Sequence, residues 1–509
     1  MEFIPGQDKA NGFSILDPGP RVSDPTETSS FYQDLNLYQL IDKLAAKWGK
    51  NVKQYYHYLP ETPGAEAYRR AIYGDVKKDD VYQALTKYTA ALEDVAVLCS
   101  EKEKVHFPMQ KVVWQLREIG AYCRATEALE KELEQAELSS EGMLSFLQIL
   151  KEILDSGGYR QLVERTETLL AQIKELRFII RYDKDRISVE PGELAGDGAY
   201  AEMIKSAGGK EVRHLQNPFL ADPSITEIEN SCLEILAKKK PELFRALQST
   251  AELNEEYEQP VLKRFSEEVI FYLSFCSLQR ELEKKGYPFA TPDCSENRRM
   301  EAKGLYDVAL ALSALSTGKE VVPNDLYYEE GECFFVLTGP NQGGKTTFAR
   351  SLGQLVYFSR MGLDVPAVSA NVPFFPDIQT HFSVEESVET GRGKLKEELT
   401  RLAPMMEDRK CGSFVVINEL FTTAASYDAQ IMGRKVLEHF IGLGCMGIYV
   451  THLQELSKGT DGVVSLRAML NDQRIQTFKI RRGEADDTAC AENLVNRYRL
   501  TYDQLKERL

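Results

Sequence analysis

From about residue 65 to residue 300, apolar positions recur at intervals of three and four. Leu85, Tyr88, Leu92, Val95 and Cys99 form one such series, and Leu169, Ile173 and Leu176 another. That spacing gathers them on one face of a helix and predicts a succession of long amphipathic helices. Leu262, Phe265, Val269, Tyr272 and Cys276 continue the pattern, and Gly286-Tyr-Pro predicts the end of that helix. Gly157-Gly158 predicts a break between two helices, and the polar, Gly-rich stretch 191–209 a connection or a small non-helical insert. After about residue 305 the texture changes. Short, wholly apolar runs at 334–337, 414–417 and 446–450 alternate with amphipathic stretches, as expected for buried strands of a largely parallel sheet with helices between them. The first 60 residues begin rich in Pro, Gly, Ser and Asp, which predicts a loose start, then turn aromatic and apolar from Phe31 to Tyr58. The expected organisation is a partly irregular N-terminal segment (1–64), a helical region (65–304), and an α/β domain with a C-terminal helical tail (305–509).

A chain of 509 residues exceeds what one hydrophobic core supports, and its 43% hydrophobic content supplies several. It is expected to be multidomain. No stretch of some eighteen apolar residues occurs, and Met1-Glu-Phe-Ile-Pro lacks the basic flank and apolar run of a secretory signal, so the expected setting is cytoplasmic, with no membrane. The nine cysteines are odd in number, scattered and never in CxxC spacing, which predicts reduced, mostly buried thiols. The net charge of −16 excludes a polycation, so any contact with nucleic acid must come from local basic patches. Lys238-Lys239-Lys240, Lys263-Arg264 and Arg298-Arg299 are such runs, and short runs of this kind are commonly solvated helix faces.

The densest chemistry lies at Gly339-Pro340-Asn341-Gln342-Gly343-Gly344-Lys345-Thr346, which satisfies GxxxxGK[ST], the P-loop pattern, and is followed by Thr347. A predicted strand (334–337) leads into it and a predicted helix leaves it. Small residues let backbone N–H groups approach phosphates, and the helix N-terminus favours their negative charge. Lys345 can reach the β and γ oxygens of ATP, and Thr346 can ligate Mg²⁺. A second run, Phe414-Val-Val-Ile-Asn418-Glu419, delivers polar groups to the end of a core strand in the manner of a Walker B strand. Glu419 is the candidate general base, suited to orient or deprotonate the attacking water. Asn418 stands where an aspartate usually helps to hold Mg²⁺, and its amide oxygen attracts the cation less. A third run, Gly447-Ile-Tyr-Val-Thr451-His452, ends in a histidine placed as in ATPases of the ABC type, where that residue senses the γ-phosphate. The other five histidines have no such setting and are expected to be structural.

These elements, in this order and with the extended form Thr338-Gly-Pro-Asn-Gln-Gly-Gly-Lys-Thr-Thr347, resemble the ATPase domain of the MutS family of DNA mismatch-repair proteins. Val322-Pro-Asn-Asp325, Met361-Gly-Leu-Asp-Val-Pro-Ala367 and Thr422-Thr-Ala-Ala-Ser426-Tyr-Asp428 match family patterns as well. The resemblance covers residues 300 to 480, and the helical region upstream is similar to the family's core, lever and clamp. It implies a mainly α-helical core/lever/clamp region followed by an ABC-type α/β P-loop ATPase domain. It also implies a dimer, of like chains or with a paralogue, in which Gly391, Arg392 and Gly393 of a signature-like turn and Ser426 and Asp428 act on the nucleotide of the partner chain. Where the family commonly has a serine after Gly-Arg, this chain has Gly393, leaving only backbone N–H groups for the opposing phosphate.

Mismatch-sensing members carry an N-terminal domain with a Phe-x-Glu wedge. No such triplet stands in the first 60 residues, and Phe265-Ser-Glu267 matches the letters only, because Phe265 falls on the apolar helix face. The resemblance therefore implies a minimal form, a dimerising ATPase with helical arms that reads duplex or branched DNA by shape and backbone. A rival reading, suggested by the acidic balance, is an ATP-gated protein-interaction scaffold without DNA binding.

Overall fold

A computed structural model of the chain describes residues 12–19, 29–176, 178–183, 186–191, 227–294, 299–383, 394–407, 411–471, 475–483 and 506. In chain order the α-helices of six residues or more are α1 (Leu37–Trp48), α2 (Val52–His57), α3 (Pro63–Val76), α4 (Asp79–Lys104), α5 (Pro108–Gln135), α6 (Glu141–Asp155), α7 (Gly157–Lys174), α8 (Glu227–Lys239), α9 (Pro241–Leu253), α10 (Pro260–Glu283), α11 (Val308–Thr317), α12 (Lys345–Arg360), α13 (Lys394–Leu402) and α14 (Ser426–Gly442). The strands are β1 (Phe178–Asp183), β2 (Arg186–Pro191), β3 (Glu301–Leu305), β4 (Asn324–Tyr327), β5 (Phe334–Thr338), β6 (Ser369–Asn371), β7 (Ile378–Phe382), β8 (Phe414–Asn418), β9 (Met446–Val450), β10 (Val463–Leu470) and β11 (Gln476–Arg482). The chain divides into two compact units, one of Met1–Ile15 with Asp75–Val269, the other of Leu16–Gly74 with Ile270–Leu509. Among the described residues no helix is long and apolar enough to cross a membrane.

The first unit is built on α4 and α5, long helices packed along one another. Leu85, Tyr88 and Val95 of α4 are buried, as are Ile119, Tyr122 and Leu129 of α5. The break read at Gly157-Gly158 falls instead at Ser156, whose side chain accepts from the Tyr159 N–H, and the two glycines open α7. A serine hydroxyl satisfies a free helix-end N–H, which glycine cannot do. Phe265 is 1% exposed and stacks on Phe146 with centroids 3.5 Å apart, so it is core, as its place on the apolar face indicates. The helical pattern is interrupted by an antiparallel hairpin, in which β1 pairs with β2 from Phe178↔Pro191 to Asp183↔Arg186. Its Ile179, Ile180, Ile187 and Val189 are β-branched, which favours a pleated ribbon. Stretch 192–209 lies outside the described residues. Lys238 to Lys240, Lys263 and Arg264 are exposed on helix surfaces, and Arg298 is outside the described residues.

The second unit holds a six-stranded sheet of order β11-β10-β5-β9-β8-β7, parallel except at β10/β11, and a three-stranded antiparallel sheet of order β4-β3-β6. All residues of β5, β8 and β9 are buried, which explains their unbroken apolar runs. Phe334, Val336, Val415, Ile417 and Tyr449 share one cluster with Val436, Leu437 and Phe440 of α14. Alternation sends Phe335, Leu337, Val416 and Ile448 to the opposite face. Segment 31–60 is bound to α12 along one face: Arg350 Nε donates to Asp34 O, Gln354 Nε2 to Leu35 O, Tyr357 Oη to Tyr56 O, and Arg360 to Pro60 O.

His381 on β7 is buried, with Nε2 3.3 Å from the Glu398 carbonyl oxygen. Burial, reinforced by the nearby Arg401, pushes its pKa down to about 4. An unfolded histidine titrates near 6.5, so between these values the unfolded chain holds a proton that the folded one lacks, and stability falls as pH drops through that window. Between pH 7 and pH 4.5 the protein should lose about 2 kcal/mol more than a His381→Gln variant does. Urea midpoints at the two pH values measure this, and parallel losses would refute it. Cys123, Cys276 and Cys445 are buried free thiols, Cys99, Cys294 and Cys333 half-buried, and Cys411 is exposed.

Candidate functional site

The loop between β5 and α12 is shaped by its glycines. Gly339 has φ +130° and Gly344 φ +85°, both in the region that L side chains rarely adopt. Space is tight at Gly339 as well, and Gly344 is in contact range of its neighbour. A Cβ on Gly339 would stand 3.2 Å from the Ala468 nitrogen, and one on Gly344 would stand 3.4 Å from the Phe478 ring. The loop is thus held against β10 and β11, and Gln476 Nε2 donates to Asn341 O at 2.8 Å. Gly344 serves as N-cap of α12. The helix therefore begins at Lys345, and a helix N-terminus is a setting that favours anions. Lys345 is 4% exposed, and its Nζ donates to Gly339 O at 2.8 Å and Pro340 O at 3.0 Å.

At the ends of the neighbouring strands three further polar groups converge. Thr346 Oγ1 donates to Asn418 Oδ1 at 3.1 Å, which brings the helix start against the end of β8. Glu419 follows with φ +56°, and its N–H donates to Val450 O at 2.9 Å. A non-glycine residue held left-handed costs about 1 kcal/mol or more, and such outliers cluster at functional sites. Here the turn aims the carboxylate at His452, whose Nε2 lies 3.2 Å from Glu419 Oε1. The same turn contains Phe421 at φ +63°, whose N–H donates to Glu398 Oε2 at 3.2 Å. The buried Glu398 thereby ties α13 to the turn.

A cavity of about 420 Å³ opens over the loop. Asn341 to Thr347 and Glu419 line its polar end, and Tyr306, Leu310, Val321, Val322 and Phe478 its apolar end. Asp307 stands in its wall, with its pKa raised by burial although it accepts from the Leu310 N–H and from Gln354. An apolar slot joined to a nest of backbone donors suits a molecule with a flat ring and a polyphosphate.

Of the residues singled out in the sequence, Asn341 to Thr347 and Glu419 line the opening, Gly339 and Pro340 bond Lys345 within the same loop, and Asn418 and His452 adjoin it through Thr346 and Glu419. Ser426 and Asp428 are exposed in the first turn of α14, away from that lining. Gly391, Arg392 and Gly393 lie outside the described residues. Phe478, Tyr306, Val321 and Glu398 carry no sequence signal of their own. Asn324, also in the lining, stands within Val322-Pro-Asn-Asp325, where the sequence offered a pattern without a role.

Residues 335–488 match the family described as MutS domain V. The DNA mismatch repair protein MutS of Fervidobacterium nodosum is 27% identical over 209 residues, 40% of this chain and 25% of that protein. That of Lactobacillus delbrueckii subsp. bulgaricus is 24% identical over 277 residues, 52% of this chain and 31% of its own length. That of Lactococcus lactis subsp. cremoris is 29% identical over 238 residues, 46% and 27% respectively. The chain spans about a quarter to a third of the length of these curated relatives. The domain V match takes in the glycine-rich loop and the ends of β8 and β9, so the part of the chain that holds the site is similar to MutS domain V.

Proposed function

We propose that the protein binds and hydrolyses ATP with Mg²⁺ and acts as an ATP-gated, dimeric DNA clamp. In this reading residues 305–509 are a P-loop ATPase domain of the ABC type, 65–304 the core/lever/clamp arms and 1–64 an N-terminal segment. The observation that carries it is the meeting of Thr346 with Asn418, and of Glu419 with His452, beside one glycine-rich loop. Loop N–H groups and Lys345 bind the phosphates, and the apolar end of the cavity takes the base. Thr346 Oγ1 and Asn418 Oδ1 are two oxygens within reach of one another, a donor set that suits a hard cation. Mg²⁺ there would neutralise phosphate charge. Glu419 orients the water, and His452 sits where it can contact both Glu419 and the terminal phosphate. In the dimer, Gly391, Arg392, Gly393, Ser426 and Asp428 reach the partner's nucleotide. The MutS relatives are named for DNA mismatch repair, and this chain takes DNA as partner on that ground.

The test is a binding panel of linear, mismatched and junction DNA, with and without ATP, at several salt concentrations. DNA binding that requires ATP and falls steeply with salt supports phosphate contacts. The net charge of −16 favours a second reading, an ATP-gated protein scaffold, and absence of binding to every DNA at low salt would select it. Sedimentation with ATP should move the protein from monomer to dimer, and one species at all nucleotide concentrations would count against ATP-driven closure.

A further inference from the structure

We propose that Asn324 is a positioning residue for the base-binding end of the cavity, acting through Phe478; this rests on the nucleotide reading above. The ladder between β10 and β11 shifts register between Ala468 and Leu470, and Phe478 sits on the bulged side with φ +57°. Bulges re-aim side chains beside functional sites, but the displaced strand needs other partners for its backbone groups. Asn324, the first residue of β4 and only 8% exposed, supplies them. Its Nδ2 donates to Phe478 O at 3.1 Å and its Oδ1 accepts from the Ile480 N–H at 2.8 Å.

This pairing explains why an amide stands here. Phe478 O and the Ile480 N–H both face Asn324, so one group must donate and accept in parallel, as a neighbouring strand does. Among short side chains asparagine alone does both with separate atoms. Aspartate lacks the donor, and serine has one atom for both tasks. Lys479 Nζ donates to Pro323 O at 2.6 Å and strengthens the same seam. The bulge so fixed places the Phe478 ring against Gly344, at the mouth of the cavity that both residues line. Phe478 is 46% exposed, so no core packing holds its ring there. Asn324 sets the backbone from which the ring projects, and the ring offers one face to a nucleobase.

A structural tie between β4 and β11 would affect every ligand of the site alike, whereas a device for the base affects only ligands that have one. The experiment measures calorimetric affinity of the full chain for Mg-ATP and for Mg-tripolyphosphate, in the parent, Asn324→Ala, Phe478→Ala and the double variant. Stacking of a base on an aromatic ring is worth about tenfold or more in affinity. Asn324→Ala and Phe478→Ala should each weaken ATP about tenfold while tripolyphosphate stays within about twofold, and the double variant should bind ATP no more weakly than Phe478→Ala alone. Should Asn324→Ala fold poorly, Asn324→Asp serves: it keeps the acceptor for Ile480 and sets an oxygen against the Phe478 carbonyl, with the same expected loss. Equal losses for ATP and tripolyphosphate, or fully additive losses in the double variant, would overturn the proposal. Failure of the parent to bind either ligand would instead overturn the nucleotide reading and this inference with it.

Discussion

Lys345→Ala should weaken ATP binding by about a hundredfold or more, because each charge-assisted hydrogen bond to a phosphate oxygen contributes about 1.5–3 kcal/mol and the side chain can supply two. The effect is large because the lysine is buried. At 4% exposure its ammonium acts where water screens little, and the phosphates it faces would otherwise lose hydration uncompensated. Turnover should fall by about 10² to 10³, as is usual when one preorganised donor is removed. The same ammonium also bonds Gly339 O and Pro340 O, so part of any loss could come from a loosened loop. Lys345→Met fills the space of the stem and lacks the ammonium, so it separates the packing of the stem from the charge and its bonds to loop and phosphate. Calorimetry and phosphate release on both variants decide the matter, and ATP affinity and turnover equal to the parent's would remove the loop from the proposed site.

The parts of the site that are legible in the sequence are those where one run of letters encodes both a strand and its cargo. Phe334 to Thr338, Phe414 to Asn418 and Met446 to Val450 are buried on both faces, so they read as unbroken apolar runs, and each ends where a polar group must emerge. The convergence of Thr346 on Asn418 and of Glu419 on His452 follows from strand order. Since β8 lies beside β9, and β9 beside β5, the three strand ends are neighbours. Elsewhere the signal is backbone rather than side chain. Segment 31–60 joins the second unit through carbonyls of Asp34, Leu35, Tyr56 and Pro60, and carbonyls are common to all residues. Phe478 owes its place to a bulge and to an asparagine 154 positions away. The hairpin 178–191 has the β-branched residues of a strand pair, but it is short and lies within a region whose longer helical periodicity dominates.

Asn418→Asp should raise Mg²⁺ affinity by about tenfold or speed turnover, since a full carboxylate charge replaces an amide dipole in a partly screened site. The geometry permits the exchange. Asn418 accepts from Thr346 Oγ1 through Oδ1, and an aspartate would keep that oxygen in place while adding charge. Of the described acids in the cavity wall, Asp307 is taken up by the Leu310 N–H and by Gln354, Glu419 lies against His452, and Glu320 is exposed. Glu419→Gln should have the opposite effect on the chemical step. It preserves size and leaves an oxygen for His452, but it removes the base, and general-base contributions of about 10² to 10⁴ set the expected loss of turnover. ATP binding should remain, because Glu419 belongs to neither the glycine-rich loop nor the Thr346–Asn418 pair. The variant should therefore accumulate with ATP bound and, if closure is driven by ATP, as the dimer. Steady-state turnover, Mg²⁺ titration and sedimentation of both variants against the parent give the answer. No gain from Asn418→Asp together with undiminished hydrolysis in Glu419→Gln would mean that the end of β8 does not carry the chemistry assigned to it.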